Sequence, residues 1–151
     1  MDPFTLSTGV VGFLSLAFQI TQILNDYVSR VKSAPQEAQT LLMEVTTLSF
    51  VLDQLVKFLQ SEDAKGNSFN QISVLCSVIM VCQSNIEGLY KKLDGVYGAD
   101  KAKREKLHGV EMVARIFGRL KWPFSKVECQ QIVKTLHRCT QTFEFSITVS
   151  K

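Results

Sequence analysis

The stretch that decides the fold is PFTLSTGVVGFLSLAFQITQILN, which runs from Pro3 to Asn25 and carries no charged side chain. As an α-helix it spans about 34 Å, close to the thickness of the hydrocarbon core of a bilayer. It is too polar, and too poor in flanking basic residues, for a permanent single-pass anchor. Two interpretations stay open. One is a central helix buried on nearly all sides of a bundle, and the other is a helix that is buried at rest and can leave the bundle to enter a membrane.

Apolar residues recur at alternating intervals of three and four along most of the chain, which places them on one face of successive helices. In the first helix this stripe consists of Leu6, Val10, Phe13, Ala17, Ile20, Leu24, Tyr27 and Val31. Similar stripes predict helices over about 35–62 and 68–93, a fourth ending near 121 and a last one from about 123 to 143. Pro123, at the first position of this last helix with aromatic residues on both sides, predicts a hydrophobic staple.

Composition agrees with a helical fold in a single domain, residues 1–151. The chain is 46% hydrophobic and has only 8 Gly and 3 Pro in 151 residues, which argues against a turn-rich all-β fold. Long helices joined by short turns are typical of a bundle. The sequence therefore predicts an all-α, antiparallel helical bundle of four to five helices, left-handed because the stripes repeat every 3.5 residues, with a long apolar first helix.

The four cysteines and the N-terminus indicate a reducing, cytoplasmic location. Cys76, Cys82, Cys129 and Cys139 form no C-x-x-C pair and lie on apolar helix faces, so we expect free thiols that pack in the core. The chain opens with Met1-Asp2-Pro3 and lacks the basic region of a secretory signal.

Charge is distributed unevenly along the chain. Residues 1–90 hold 4 basic and 8 acidic side chains, whereas residues 91–151 hold 13 and 6. The second half is therefore expected to attract acidic lipid or nucleic acid. Nucleic acid is disfavoured because only Tyr90 and Tyr97 lie near the basic cluster for base stacking. A solvated loop is the remaining alternative. The residues predicted to contact acidic lipid are Lys91, Lys92, Lys101, Lys103, Arg104 and Lys106.

We find no motif for phosphate binding, zinc proteolysis or a nucleophilic serine, and hence predict no enzyme activity, no metal and no cofactor. His108 and His137 have no nucleophile at an informative spacing. Glu37, Glu44 and Asp53 are interpreted as the solvated side of one helix rather than an acid–base pair.

Three parts of the sequence carry a resemblance to a known family. They are the opening Met1-Asp2-Pro3-Phe4, the Gly9-Val10-Val11-Gly12 run, and the block from Gly118 to Phe124 followed by Lys126 and Glu128. Together they resemble the fungal HeLo-like domain, found at the N-terminus of STAND or NLR-type immune receptors and of cell-death effectors. The resemblance covers nearly the whole chain, and Trp122, Pro123 and Phe124 form its most specific motif.

The resemblance implies a function in regulated cell death. The domain would be similar to the HeLo domain of the HET-S toxin and, more distantly, to the bundle of the mixed-lineage kinase domain-like effector. It would rest in the cytoplasm, respond to an upstream NLR/STAND or amyloid-signalling sensor, form homo-oligomers and permeabilise the plasma membrane. The residues implied to target the membrane are Phe4, Leu6, Gly9, Val10, Val11, Gly12, Phe13, Leu14 and Leu16. The glycine zipper of some members is reduced here to Gly9 and Gly12.

A second function class stays open beside the first. The domain could be a non-enzymatic signalling adaptor of an NLR-type receptor that recruits a partner through its bundle surface. Phe50, Phe58 and Phe69 lie outside the apolar stripes and would form the contact patch.

Overall fold

The computed structural model describes residues 3–31, 34–61, 69–95 and 122–150, which consist almost entirely of four helices. These are α1 (Pro3–Arg30), α2 (Gln36–Leu59), α3 (Phe69–Leu93) and α4 (Lys126–Ser150). None of the described residues belongs to a strand. The predicted all-α fold and long apolar first helix are therefore confirmed. The helix predicted to end near residue 121 lies outside the described residues.

The apolar stripes predicted from the sequence form one shared core. The largest side chains that are almost wholly buried come from all four helices: Phe13, Ile20, Leu24, Leu41, Leu48, Leu52, Leu55, Ile86, Leu93, Leu136 and Phe143. The second half of α2 is buried around more of its circumference, since Val51, Val56 and Phe58 are buried beside the stripe. Phe58, predicted as part of an exposed contact patch, is therefore a core residue.

The helices surround this core in the order α1, α2, α4, α3, because α1 and α4 each pack against both α2 and α3. The Ala34 N–H, just before α2, donates to the carbonyl oxygen of Val31, just after α1, at 3.2 Å, and the two helices pack side by side, so they are antiparallel. Cys129 contacts Glu37 and His137 contacts Glu44, so α2 and α4 lie side by side and run in the same direction. The end of α1, the start of α2, the end of α3 and the start of α4 consequently share one end of the bundle.

The last helix is longer than the sequence pattern indicates. Residues 144–150, whose apolar spacing alternates weakly, continue α4 to Ser150. Ile147 lies four residues after the buried Phe143 and is itself buried, so the helical stripe extends by one more turn.

Candidate functional site: the first helix and the contacts that hold it

The first helix is buried along one stripe and exposed along the opposite face. Val10, Phe13 and Ile20 are almost completely buried, whereas Val11 and Phe18 keep 47% and 52% of their surface exposed. The interpretation of α1 as a helix buried on nearly all sides is therefore wrong. Its outer face is nevertheless uncharged from Thr5 to Asn25.

The structure divides the residues predicted to target a membrane between the core and this outer face. Leu6, Val10, Phe13 and Leu14 are buried, and Leu16 is partly buried against the core. Gly9, Val11 and Gly12 are exposed. The side chain of Phe4 lies outside the described part of the chain. The buried members can reach a lipid only if α1 moves.

Gly9 and Gly12 lie on open helix surface. A Cβ atom added at either position would meet no atom within 4 Å. No described helix therefore packs closely against α1 at these two glycines.

By length and composition α1 could cross a membrane. The segment Thr5–Arg30 has a mean hydropathy of 1.4 in its most apolar window of 18 residues, and 33% of that window is buried. Core helices of soluble proteins also meet this criterion, so length and composition by themselves do not assign α1 to a membrane.

An aromatic cluster fixes the end of α1 to the start of α4. The rings of Tyr27 and Trp122 stack with their centroids 5.2 Å apart, and Phe124 meets Trp122 edge-on at the same distance. The Nζ of Lys92, at the end of α3, lies 4.9 Å from the Phe124 ring centroid. We call these four residues the aromatic clasp. The most specific motif of the family resemblance thus contacts the helix that the resemblance implicates in membrane targeting.

Ser125 follows Phe124 of the clasp in the chain and forms the N-cap of α4. The backbone N–H of Glu128 donates to Ser125 Oγ at 3.1 Å, and the spacing Ser-x-x-Glu is that of a capping box. Pro123 therefore precedes the helix, and its predicted place at the first helical position is wrong. Glu128 also forms an ion pair with Lys92. The hydrogen bond from Lys92 is the main reason why the pKa of the Glu128 carboxyl is lower than its ordinary value.

The residues predicted to contact acidic lipid are only partly described. Lys91 is exposed near the end of α3. Lys92 is engaged by Glu128 and Phe124, so it holds the clasp together in the closed bundle. Lys101, Lys103, Arg104 and Lys106 lie outside the described residues.

A groove of about 510 Å³ separates the first halves of α2 and α4. Its rim carries Glu44, whose Oε1 lies 3.2 Å from Nδ1 of His137, and its wall includes Cys129, whose thiol donates to the Glu37 carbonyl oxygen at 3.5 Å. Burial, followed by the nearby Glu37, raises the pKa of the Cys129 thiol, so this sulfur stays protonated. Among the described residues no group of three potential metal ligands is found. Sequence reasoning missed the groove, because its two sides are about 90 residues apart in the chain.

The four cysteines are free thiols. Cys82, Cys129 and Cys139 are buried, as predicted, whereas Cys76 is partly exposed. Cys82 of α3 and Cys139 of α4 form a hydrogen bond, which together with burial raises the pKa of the Cys82 thiol. The Cys82 thiol therefore stays protonated, whereas the same hydrogen bond lowers the pKa of the Cys139 thiol.

Residues 1–108 match the family described as the N-terminal region of the pigment biosynthesis cluster protein PigL. The chain belongs to this family. It is a fungal family of N-terminal domains, and the matched part contains α1, α2 and α3. The aromatic residues of the clasp from Trp122 onward, and all of α4, follow the matched part. No curated protein and no solved structure matches the chain.

Proposed function

We propose that this fungal domain is a cell-death effector of an innate-immunity or incompatibility system. In this proposal it catalyses no reaction, oligomerises on activation and permeabilises the plasma membrane through α1. The observation that carries the proposal is the uncharged outer face of α1 from Thr5 to Asn25, on a helix that is held to the bundle by a single apolar stripe. The resemblance to the fungal HeLo-like domain supplies the biological context.

The buried apolar stripe determines whether α1 can be released into water or into hydrocarbon. It includes Leu6, Val10, Phe13, Ile20 and Leu24, together with Tyr27. Exposing each large apolar side chain to water costs about 1.5–3 kcal/mol, so release of the whole stripe costs more than about 10 kcal/mol. This is comparable to the total stability of a domain, which is about 5–15 kcal/mol. Release into water is therefore negligible, whereas hydrocarbon restores the favourable environment of these side chains.

The polar residues of α1 favour entry as an oligomer. The Thr21 hydroxyl already donates to the Ala17 carbonyl at 2.9 Å within the helix, so it needs no further partner. Ser15, Gln19 and Gln22 are exposed to water in the closed bundle. In hydrocarbon their polar groups require partners, and neighbouring copies of α1 would supply them.

The proposed partners come from the family resemblance and from the basic side chains of the sequence. The protein rests in the cytoplasm and is triggered by an NLR/STAND or amyloid-signalling sensor, which opens the bundle. Lys91 and the basic cluster at residues 101–106 then hold it on the acidic leaflet, where each basic side chain contributes about 1 kcal/mol.

The test is dye release from acidic vesicles by the intact chain, at concentrations high enough for mass action to drive oligomerisation in place of the sensor. Ser15→Lys adds a charge near the middle of α1 at an exposed position, so the bundle can still fold. A lysine at mid-bilayer costs about 2.5–3.5 kcal/mol, and we expect the initial rate to fall by about tenfold or more. Thr47→Lys and Gln141→Lys add the same charge at exposed positions of α2 and α4 and should release dye like the wild type. Circular dichroism verifies that all three variants fold.

Two results would contradict the proposal. One is the absence of release by the wild-type chain from vesicles of any acidic content. The other is a folded Ser15→Lys variant that releases dye as fast as its two controls.

A signalling adaptor is the second candidate, and the exposure of Phe50 favours it. Phe50 is 64% exposed, and Met43 lies two turns before it on α2 and is also exposed. Of the predicted contact patch, Phe58 is buried and the side chain of Phe69 is outside the described residues. Flotation with acidic vesicles at low and high salt separates the candidates, since an adaptor should remain unbound at both.

A further inference from the structure

Two buried thiols meet where α3 packs against α4. Cys82 of α3 and Cys139 of α4 are 0% and 6% exposed, and both belong to the apolar core of the bundle. A hydrogen bond joins their side chains. Two cysteines that lie in contact on different helices have the arrangement from which a disulfide bond can form without a large movement of the backbone.

The register of the two helices places these cysteines at the same level independently of that hydrogen bond. Lys92, at the end of α3, pairs with Glu128, at the start of α4, so the two helices run antiparallel. Cys82 precedes Lys92 by 10 residues, and Cys139 follows Glu128 by 11. At about 1.5 Å per residue, both cysteines lie about 15–17 Å from the ion pair along their helices, which agrees to within one helical turn.

The two sulfurs differ in reactivity. The Cys82 thiol donates to the Cys139 sulfur, and this hydrogen bond lowers the pKa of the Cys139 thiol although burial opposes the effect. The same hydrogen bond, followed by burial, raises the pKa of the Cys82 thiol. Because the thiolate is the nucleophilic form of cysteine, Cys139 is the sulfur that reacts first. It is also the one that keeps a small exposed surface, through which a small oxidant can reach it.

We propose that Cys82 and Cys139 form a modification site at which a peroxide converts the two thiols into a disulfide bond between α3 and α4. The Cys139 thiolate attacks one oxygen of hydrogen peroxide, the O–O bond breaks, hydroxide leaves and a sulfenic acid forms. The Cys82 sulfur then attacks the Cys139 sulfur, so that the S–S bond forms while the S–O bond breaks, and the leaving hydroxide takes the Cys82 proton as water. The sulfurs together lose two electrons, and the peroxide with the two thiol protons becomes two molecules of water.

The bond would fasten two helices that are distant in the chain. It closes a loop of about 58 residues, and a disulfide of this kind should raise the ratio of folded to unfolded protein by at least about 30-fold. The other two cysteines supply internal references, one on each helix. Cys76 is partly exposed on α3, and the thiol of Cys129 on α4 donates to the Glu37 carbonyl oxygen.

Oxidation of the intact, folded chain with hydrogen peroxide tests the proposal, with the remaining thiols blocked by a maleimide before peptide mass mapping. The wild type should lose two hydrogens and yield a cross-linked peptide that contains Cys82 and Cys139, and a thiol reductant should reverse both changes. Cys76→Ala and Cys129→Ala are the matched controls and should form the bond as the wild type does. Cys82→Ala should stop at a sulfenic acid on Cys139, which dimedone captures.

Urea unfolding of the oxidised and reduced wild type measures the expected gain in stability, and circular dichroism verifies that each variant folds. A wild type in which Cys82 and Cys139 stay reduced at peroxide concentrations that oxidise Cys76 would overturn the proposal. So would a bond that forms only in urea, since the folded bundle would then not bring the two sulfurs together. These measurements use no lipid, so failure of this inference and failure of the proposed membrane function are distinguishable.

Discussion

Replacement of the glycines of α1 tests whether its outer face is free in the closed bundle. Gly9 and Gly12 are in the interior of a helix, where glycine is about 0.8–1.0 kcal/mol less favourable than alanine. Since a Cβ at either position meets nothing within 4 Å, no steric cost opposes this gain. We expect Gly9→Ala and Gly12→Ala each to raise the free energy of unfolding by about 1 kcal/mol, and the thermal midpoint by about 2–4 °C.

The assay is urea unfolding followed by far-UV circular dichroism. The midpoint should rise without a change in slope, and the double variant should gain about 2 kcal/mol because the two added methyl groups share no partner. Gly88→Ala in α3 is the matched control, since its surroundings are equally open. A gain at Gly88 combined with a loss at Gly12 would show that another surface packs against α1 there, and would refute the reasoning.

Three further predictions concern the clasp, its ion pair and the thiols. Trp122→Ala removes both ring contacts and should lower the free energy of unfolding by about 2–4 kcal/mol in urea titrations. Trp122→Phe should cost less, because it keeps a ring for these contacts and loses only a buried Nε1–H that has no hydrogen-bond partner among the described residues; equal losses would contradict this. The pKa of the Glu128 carboxyl is lower in the folded chain than its value of about 4.3 in the unfolded chain. Its ionised form therefore stabilises the fold above about pH 4.3, and this contribution is lost as the pH falls through the pKa of the folded chain. Stability of Glu128→Gln should hence depend less on pH in that acidic range, and an unchanged profile would count against the ion pair. Cys76 should react first with an aromatic disulfide reagent, and early reaction of Cys82 would show that the core opens.

The apolar spacing of the sequence was sufficient to predict an all-α bundle with a long apolar first helix, but not that the neighbouring helices α2 and α4 run in the same direction. The stripes of all four described helices became the core because a 3.5-residue period leaves each helix one face to bury. The ends of helices were less predictable. The sequence analysis placed Pro123 at the first position of the last helix, whereas α4 begins after Ser125, whose Oγ accepts from the Glu128 N–H.

The parts of the site that depend on distant contacts could not be predicted from the sequence. Nothing local to Lys92 indicates that it pairs with Glu128 and covers Phe124, and nothing local to Glu44 indicates His137. Phe58 was expected at the surface because it lies off the stripe of α2, yet the second half of that helix is buried more widely than one stripe. Exposure of this kind depends on how many neighbours a helix has, which periodicity does not encode.

The central claim is that α1 exchanges the core of the bundle for the interior of a membrane. Phe18 is half exposed in the closed form and lies within about 6 Å along the helix of the centre of the uncharged segment. In a Phe18→Trp, Trp122→Phe variant the new indole therefore reports on α1 alone. With vesicles of acidic lipid brominated deep in the acyl chains, its fluorescence should be quenched at the lipid concentrations that cause dye release. Dye release while the indole fluorescence remains unquenched, as it would for an indole in water, would contradict the account.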